Sequence, residues 1–149
     1  MGENKHITDY FDIISGTSTG GIIALLLSTP DQDGKPKYNA SDMLELYNKL
    51  GSKVFKRSIW QKAKTGWGWW GAKYSSDNLE ELLIQYFGEI ELKDVIKTVI
   101  VPAYEIEMDK SFFFKSERAK IYPKHNYKLK DIARATSAAP TYFEPAQIQ

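Results

Sequence analysis

One hydroxyl in this chain is set among residues that could turn it into a nucleophile. Gly16-Thr17-Ser18-Thr19-Gly20-Gly21 places Ser18 with a glycine two positions away on either side, the Gly-x-Ser-x-Gly spacing of a nucleophile elbow. The chemistry demands that spacing. A serine that attacks a carbonyl must be pushed out of its sheet on a sharp turn, a costly conformation for a residue with a Cβ. Gly16 and Gly20 are expected to let the strand before the turn and the helix after it pass close together. Ser18 then sits at a helix N-terminus, where free N–H groups and the positive end of the dipole favour a developing oxyanion. The backbone N–H of Thr19 is the first donor to expect there. A phosphate-binding loop of the Gly-x-x-x-x-Gly-Lys-Ser/Thr type does not fit, because Gly20-Gly21 is followed by Ile22 where a lysine is needed.

The elements that must carry this turn are readable on both sides of it. Phe11, Ile13 and Ile14 form a short apolar, partly β-branched run that reads as a buried strand. Ile22–Leu27 is apolar on every side and stops before Pro30, which predicts a buried helix. It is far shorter than the roughly 20 residues that span a bilayer. The order is strand, glycine turn, buried helix, with Ser18 at the apex.

A serine nucleophile needs a base. Only two histidines are present, His6 and His125, and His125 lies in Tyr122-Pro123-Lys124-His125-Asn126-Tyr127, which reads as a solvated polar turn. A histidine-based esterase using His125 is the weaker alternative. Neither Asp109 nor Asp131 stands in a recognisable catalytic setting. With no cysteine, thiolate catalysis and disulfides are excluded, and no carboxylate–histidine cluster has metal-ligand spacing, so neither metal nor cofactor is expected.

Composition bounds the rest. Hydrophobic residues at 42% and charged residues at 26% are ordinary for a globular domain, and 149 residues can enclose one core. Twenty basic against nineteen acidic residues leave +1, which argues against a nucleic-acid partner. Met1-Gly2-Glu3-Asn4-Lys5-His6 has no apolar signal core, and His6 breaks the myristoylation pattern, so a cytoplasmic protein, at most peripheral to a membrane, is expected.

Along the chain, Pro30–Lys37 reads as a loop. Ser41 is the expected cap of a helix bearing Met43, Leu46, Tyr47, Leu50, Val54 and Phe55 at three- and four-residue spacing. Trp60, Trp67, Trp69 and Trp70, all the tryptophans, fall within eleven residues among Lys62, Lys64, Lys73 and several glycines. They read as a loop whose indoles cap the core or meet a membrane headgroup zone. Asp77 and Glu80 have capping-box spacing before Leu79, Leu82, Leu83, Tyr86 and Phe87, with Gly88 to close the helix. Lys97–Ile106 is a predicted strand in which Pro102 marks a bulge or an edge. Phe112-Phe113-Phe114 is a second, and Leu129–Ser137 a final short helix that Pro140 cannot continue. This is an α/β order without internal repeat.

Phe11-Asp12-Ile13-Ile14-Ser15-Gly16-Thr17-Ser18-Thr19-Gly20-Gly21-Ile22-Ile23-Ala24 closely resembles the elbow of patatin-like phospholipases. A second long match runs from Leu129 to Phe143, through Ala133-Arg134-Ala135-Thr136-Ser137-Ala138-Ala139-Pro140-Thr141-Tyr142-Phe143. Tyr74, Leu79-Glu80, Tyr86-Phe87-Gly88 and Pro102-Ala103-Tyr104-Glu105 fall between them in the family's order, so nearly the whole chain is covered. The resemblance implies a mixed sheet sandwiched by helices. It also implies a serine lipid acyl hydrolase that cleaves fatty-acyl esters of phospholipids or galactolipids through a Ser–Asp dyad and an acyl-Ser18 intermediate. The family's Asp-Gly-Gly-Gly-type oxyanion loop and its Asp-Gly-Gly/Ala motif are expected before Met1 and after Gln149, making residues 1–149 one incomplete domain. The alternative is a catalytically inactive module of the same fold that binds lipid or protein.

Overall fold

In the computed structural model, which describes residues 5–50, 76–138 and 148, strand β1 (Ile13–Ser15) runs into helix α1 (Thr19–Leu27) across the turn at Gly16–Ser18. Helices α2 (Ala40–Leu50) and α3 (Ser76–Phe87) follow, then strands β2 (Thr98–Glu105) and β3 (Lys110–Lys115), and helices α4 (Ser116–Ile121) and α5 (Leu129–Thr136). The three strands form a mixed sheet in the order β1-β2-β3, with β1 parallel to β2 and β3 antiparallel to it. The expected mixed α/β architecture is present.

Period-two burial decides where the core lies. Val99 and Val101 of β2 and Phe114 of β3 point inward, where they join Ile22, Leu25 and Leu26 of α1, Leu79, Leu82, Leu83 and Phe87 of α3, and Leu129, Ile132 and Ala133 of α5. Helix α1 is buried almost all round, as its apolar sequence requires: Gly21, Ile22, Ala24, Leu25 and Leu26 are all enclosed. Burying side chains of the Leu25 or Leu26 kind contributes about 1.5–3 kcal/mol each.

Several expectations are corrected. β1 is not a buried strand: among the described residues it pairs with β2 alone, and Phe11 and Ile13 are 55% and 60% exposed. An apolar run says that a strand has a partner-seeking face, and cannot say which neighbours cover it. The cap of α2 is Asn39, two residues before Ser41. Asn39 Oδ1 accepts from the Ser41 and Asp42 N–H groups at 2.8 and 3.2 Å, and Asp42 Oδ2 accepts from Asn39 N–H at 2.7 Å, a reciprocal box. Helix α3 begins at Ser76, so Asp77 lies inside it, and Glu80 instead accepts from Arg134 Nε at 3.0 Å, tying α3 to α5. Gly88 does close α3, with φ +55 and its N–H on Ile84 O.

Pro102 marks no bulge. The β2–β3 register runs unbroken from Ile100↔Lys115 to Glu105↔Lys110. Thr98 N–H donates to Asp12 O and Ile100 O accepts from Ser15 Oγ, so even-numbered residues of β2 aim their backbone groups toward β1. β1 ends at Ser15, opposite Ile100. Pro102 therefore faces the space just past the end of β1, where its missing N–H costs no ladder bond.

The turn between β2 and β3 carries Asp109 at φ +51, with its carboxylate accepting from the Tyr104 hydroxyl. The short helix α4 has no periodic signal in the sequence. It begins at buried Ser116, whose Oγ accepts from Val99 N–H at 2.9 Å, and it sends Ala119 into the core.

Candidate active site

Ser18 stands at the mouth of α1 with φ 53 and ψ −127, a region where a Cβ is crowded and which costs about 1–3 kcal/mol to hold. Its side chain makes no capping hydrogen bond to the helix and is exposed. Its carbonyl accepts from Ile22 N–H at 3.0 Å, which starts α1. The N–H groups of the first helical turn, Thr19 among them, have no acceptor within the helix. The site thus offers a hydroxyl beside a half-buried Thr19 whose N–H points along the positive end of the helix axis.

The glycines around Ser18 do different jobs. A Cβ on Gly16 would lie 2.3 Å from Gly20 O and 2.4 Å from Gly20 C, so the strand end passes directly against the first turn of α1. Gly20 itself needs no such freedom, because a Cβ there would meet nothing within 4 Å among the described residues. The second tight position is Gly21, where a Cβ would approach Thr136 Cγ2 to 2.9 Å, Gly16 O to 3.0 Å and Val101 Cγ1 to 3.2 Å. The spacing predicts two close-passing glycines, and the structure assigns that role to Gly16 and Gly21. Thr17 is exposed on the turn.

What supports the turn from below comes from the far end of the chain. Ser18 N–H donates to Thr136 Oγ1 at 2.9 Å, and the Thr136 hydroxyl donates to Pro102 O at 2.8 Å. The α5 terminus thereby touches both the elbow and the strand beside it.

A model of the patatin-like phospholipase family matches residues 4–149. The chain belongs to that family. It is 36% identical over 143 residues to patatin-like protein 4 of Arabidopsis thaliana, covering 96% of this chain and 36% of that protein. It is 35% identical over 147 residues to patatin-like protein 1 of the same plant, and 32% identical over 142 residues to patatin-03 of Solanum tuberosum, with coverage of 97% and 95% of this chain. The patatin-like chain spans about a third of these relatives' length, 36%, 36% and 35%.

Other candidate residues of this patatin-like chain are not drawn to Ser18. Among the described residues no carboxylate or imidazole hydrogen-bonds it. His125 ends a 3-10 turn, Pro123–His125, and is less solvated than its polar surroundings suggest. Its Nε2 is buried without a hydrogen-bond partner, and burial, then the Arg118 and Lys124 charges, hold the ring below its ordinary pKa. Asp109 is engaged by Tyr104 at the hairpin turn, and Asp131 lies in the first turn of α5. Trp60, Trp67, Trp69 and Trp70 fall outside the described residues, as do Val54 and Phe55. Among the described residues no group of three or more His, Asp or Glu could hold a metal, and no helix is long and apolar enough to cross a membrane. An open depression lined by Pro30, Asp31, Gln32, Lys37, Ile90 and Asp94 includes none of the elbow residues.

Proposed function

We propose that the protein carrying this chain is a serine lipid acyl hydrolase, with Ser18 as nucleophile and fatty-acyl esters of phospholipids or galactolipids as substrates. The observation that carries the reading is the strained Ser18, at φ 53, on a strand–turn–helix in a patatin-like chain. Ser18 Oγ attacks the ester carbonyl carbon while its proton passes to a carboxylate base. The carbonyl oxygen becomes an oxyanion, with Thr19 N–H as one donor. Collapse breaks the C–O bond of the leaving alcohol, which takes up the proton, and leaves acyl-Ser18. Water, deprotonated by the same base, then attacks the acyl carbon to release the fatty acid and restore the hydroxyl. A Ser–Asp dyad suits a chain with only two histidines. The aspartate is assigned to sequence beyond residues 1–149, in keeping with the third of the relatives' length that the chain spans.

The test is fluorophosphonate labelling together with hydrolysis of a short-chain phospholipid by the complete protein. Ser18→Ala should abolish labelling and lower turnover by about six decades, the usual loss for a nucleophile, with the fold retained. Substantial residual turnover in Ser18→Ala would sink the assignment. The isolated 149-residue chain should label far more slowly than the complete protein. Fast stoichiometric labelling of the short chain would locate a base within it and make His125 the first residue to replace.

A further inference from the structure

We infer that Thr136 is the positioning residue that holds the nucleophile elbow in its reactive form. This rests on the reading of Ser18 as nucleophile. A serine at φ 53 and ψ −127 would relax to negative φ if nothing opposed it. Relaxation rotates the peptide that carries the Ser18 N–H and swings the Cα–Cβ bond, moving the hydroxyl away from the approach of a substrate. In the strained conformation the N–H meets Thr136 Oγ1, 2.9 Å away, a bond that opposes the relaxation. The threonine is itself oriented, because its single hydroxyl proton goes to Pro102 O at 2.8 Å, leaving an oxygen lone pair for Ser18.

The acceptor at Pro102 exists because of two features of β2. β1 has ended two residues earlier, at Ser15↔Ile100, so no strand claims the Pro102 carbonyl. Proline offers no N–H on that side to compete for the hydroxyl. The Thr136 methyl meanwhile packs toward Gly21, where an added Cβ would come within 2.9 Å of it, so the side chain is fixed at both branches. The relay Ser18 N–H to Thr136 to Pro102 O thus anchors the elbow to the rigid middle of the sheet. It also spends the Ser18 N–H on structure and leaves the Thr19 N–H for the oxyanion.

The comparison that tests this is Thr136→Ser against Thr136→Ala in the complete protein, since the two differ by the hydroxyl alone. Thr136→Ser should acylate with a fluorophosphonate within about threefold of the parent, and Thr136→Ala about 10- to 100-fold more slowly, the usual penalty for a misplaced reacting group. KM for a short-chain phospholipid should stay the same in both, so the loss falls on kcat, and melting temperatures of the two variants should agree. Thr136→Val, which keeps the methyl packing, repeats the comparison should the alanine variant fail to fold. Equal acylation rates in the serine and alanine variants would overturn the inference. A parent protein that does not label at Ser18 would instead remove the nucleophile reading. Amide hydrogen exchange then decides the positioning role by itself. Faster exchange of the Ser18 N–H in Thr136→Ala than in Thr136→Ser supports the anchor, and equal exchange overturns it.

Discussion

At the scale of single residues, the two glycines of Gly16-Thr17-Ser18-Thr19-Gly20 look equivalent in sequence and are not equivalent in space. Gly16→Ala would drive a Cβ to 2.3 Å from Gly20 O, against backbone that cannot move without separating β1 from α1. It should cost about 3 kcal/mol or more, at the upper end of single-substitution effects, or abolish folding. Gly20→Ala meets open space inside a helix and should raise stability by up to about 1 kcal/mol. Urea unfolding of both variants checks this, and similar losses at both positions would contradict the geometry. The elbow was legible because its requirements are local: a hydroxyl, a sharp turn and a helix start lie within a few consecutive residues. Thr136 was legible only as one residue of the predicted helix Leu129–Ser137. Its hydroxyl acts on a residue 118 positions away, and no spacing rule connects them. Asn39 is legible as a cap by an equally local rule. The Asp three residues after it completes a capping box, whereas Ser41 has Leu44 at that distance.

At the scale of elements, α3, β2 and α5 announce themselves by periodicity and α1 by being apolar all round, because each presents several apolar residues to one core. Helix α4 does not. Six residues with Ala119 as their single apolar core contact fall below any periodic signal, and the helix owes its place to Ser116 bonding Val99. The junction between α3 and α5 is electrostatic at its surface. Glu89, just past the end of α3, accepts from Lys128 and Lys130 at the start of α5, and these lysines draw its carboxyl from 4.5 down to about 2. A carboxylate with a lowered folded-state pKa contributes its stability above the ordinary glutamate range and loses it as pH falls from 4.5 toward 2. The pair is exposed, so the contribution is small. Glu89→Gln should melt slightly below the parent at pH 7, and the gap should close near pH 2. Thermal melts at the two pH values check this, and a gap unchanged at pH 2 would refute it.

At the scale of the whole molecule, the described helices gather on the inner face of the sheet, and among the described residues the other face carries exposed apolar side chains. Tyr104 and Phe113 are 59% and 50% exposed there, on the same side as Ile13. Adjacent phenylalanines therefore differ sharply in worth. Phe114→Ala should cost about 3–5 kcal/mol, while Phe113→Ala should cost under about 1 kcal/mol, with chemical denaturation as the measurement. A comparable loss at Phe113 would mean that this face is covered. No sequence pattern separates these two residues except the register of a strand whose partner lies earlier in the chain. The relay beneath Ser18 carries one more consequence, concerning time. β1 and α1 leave the ribosome before their partners do: β1 gains its parallel neighbour only when Thr98–Ile100 arrives, and the Ser18 N–H gains its acceptor only with Thr136. Contacts so distant along the chain form late, after the loop-closure entropy has been met. The serine is thus synthesised 118 residues before the threonine that holds its N–H, so a growing chain that has reached only β3 carries its nucleophile without the anchor beneath it.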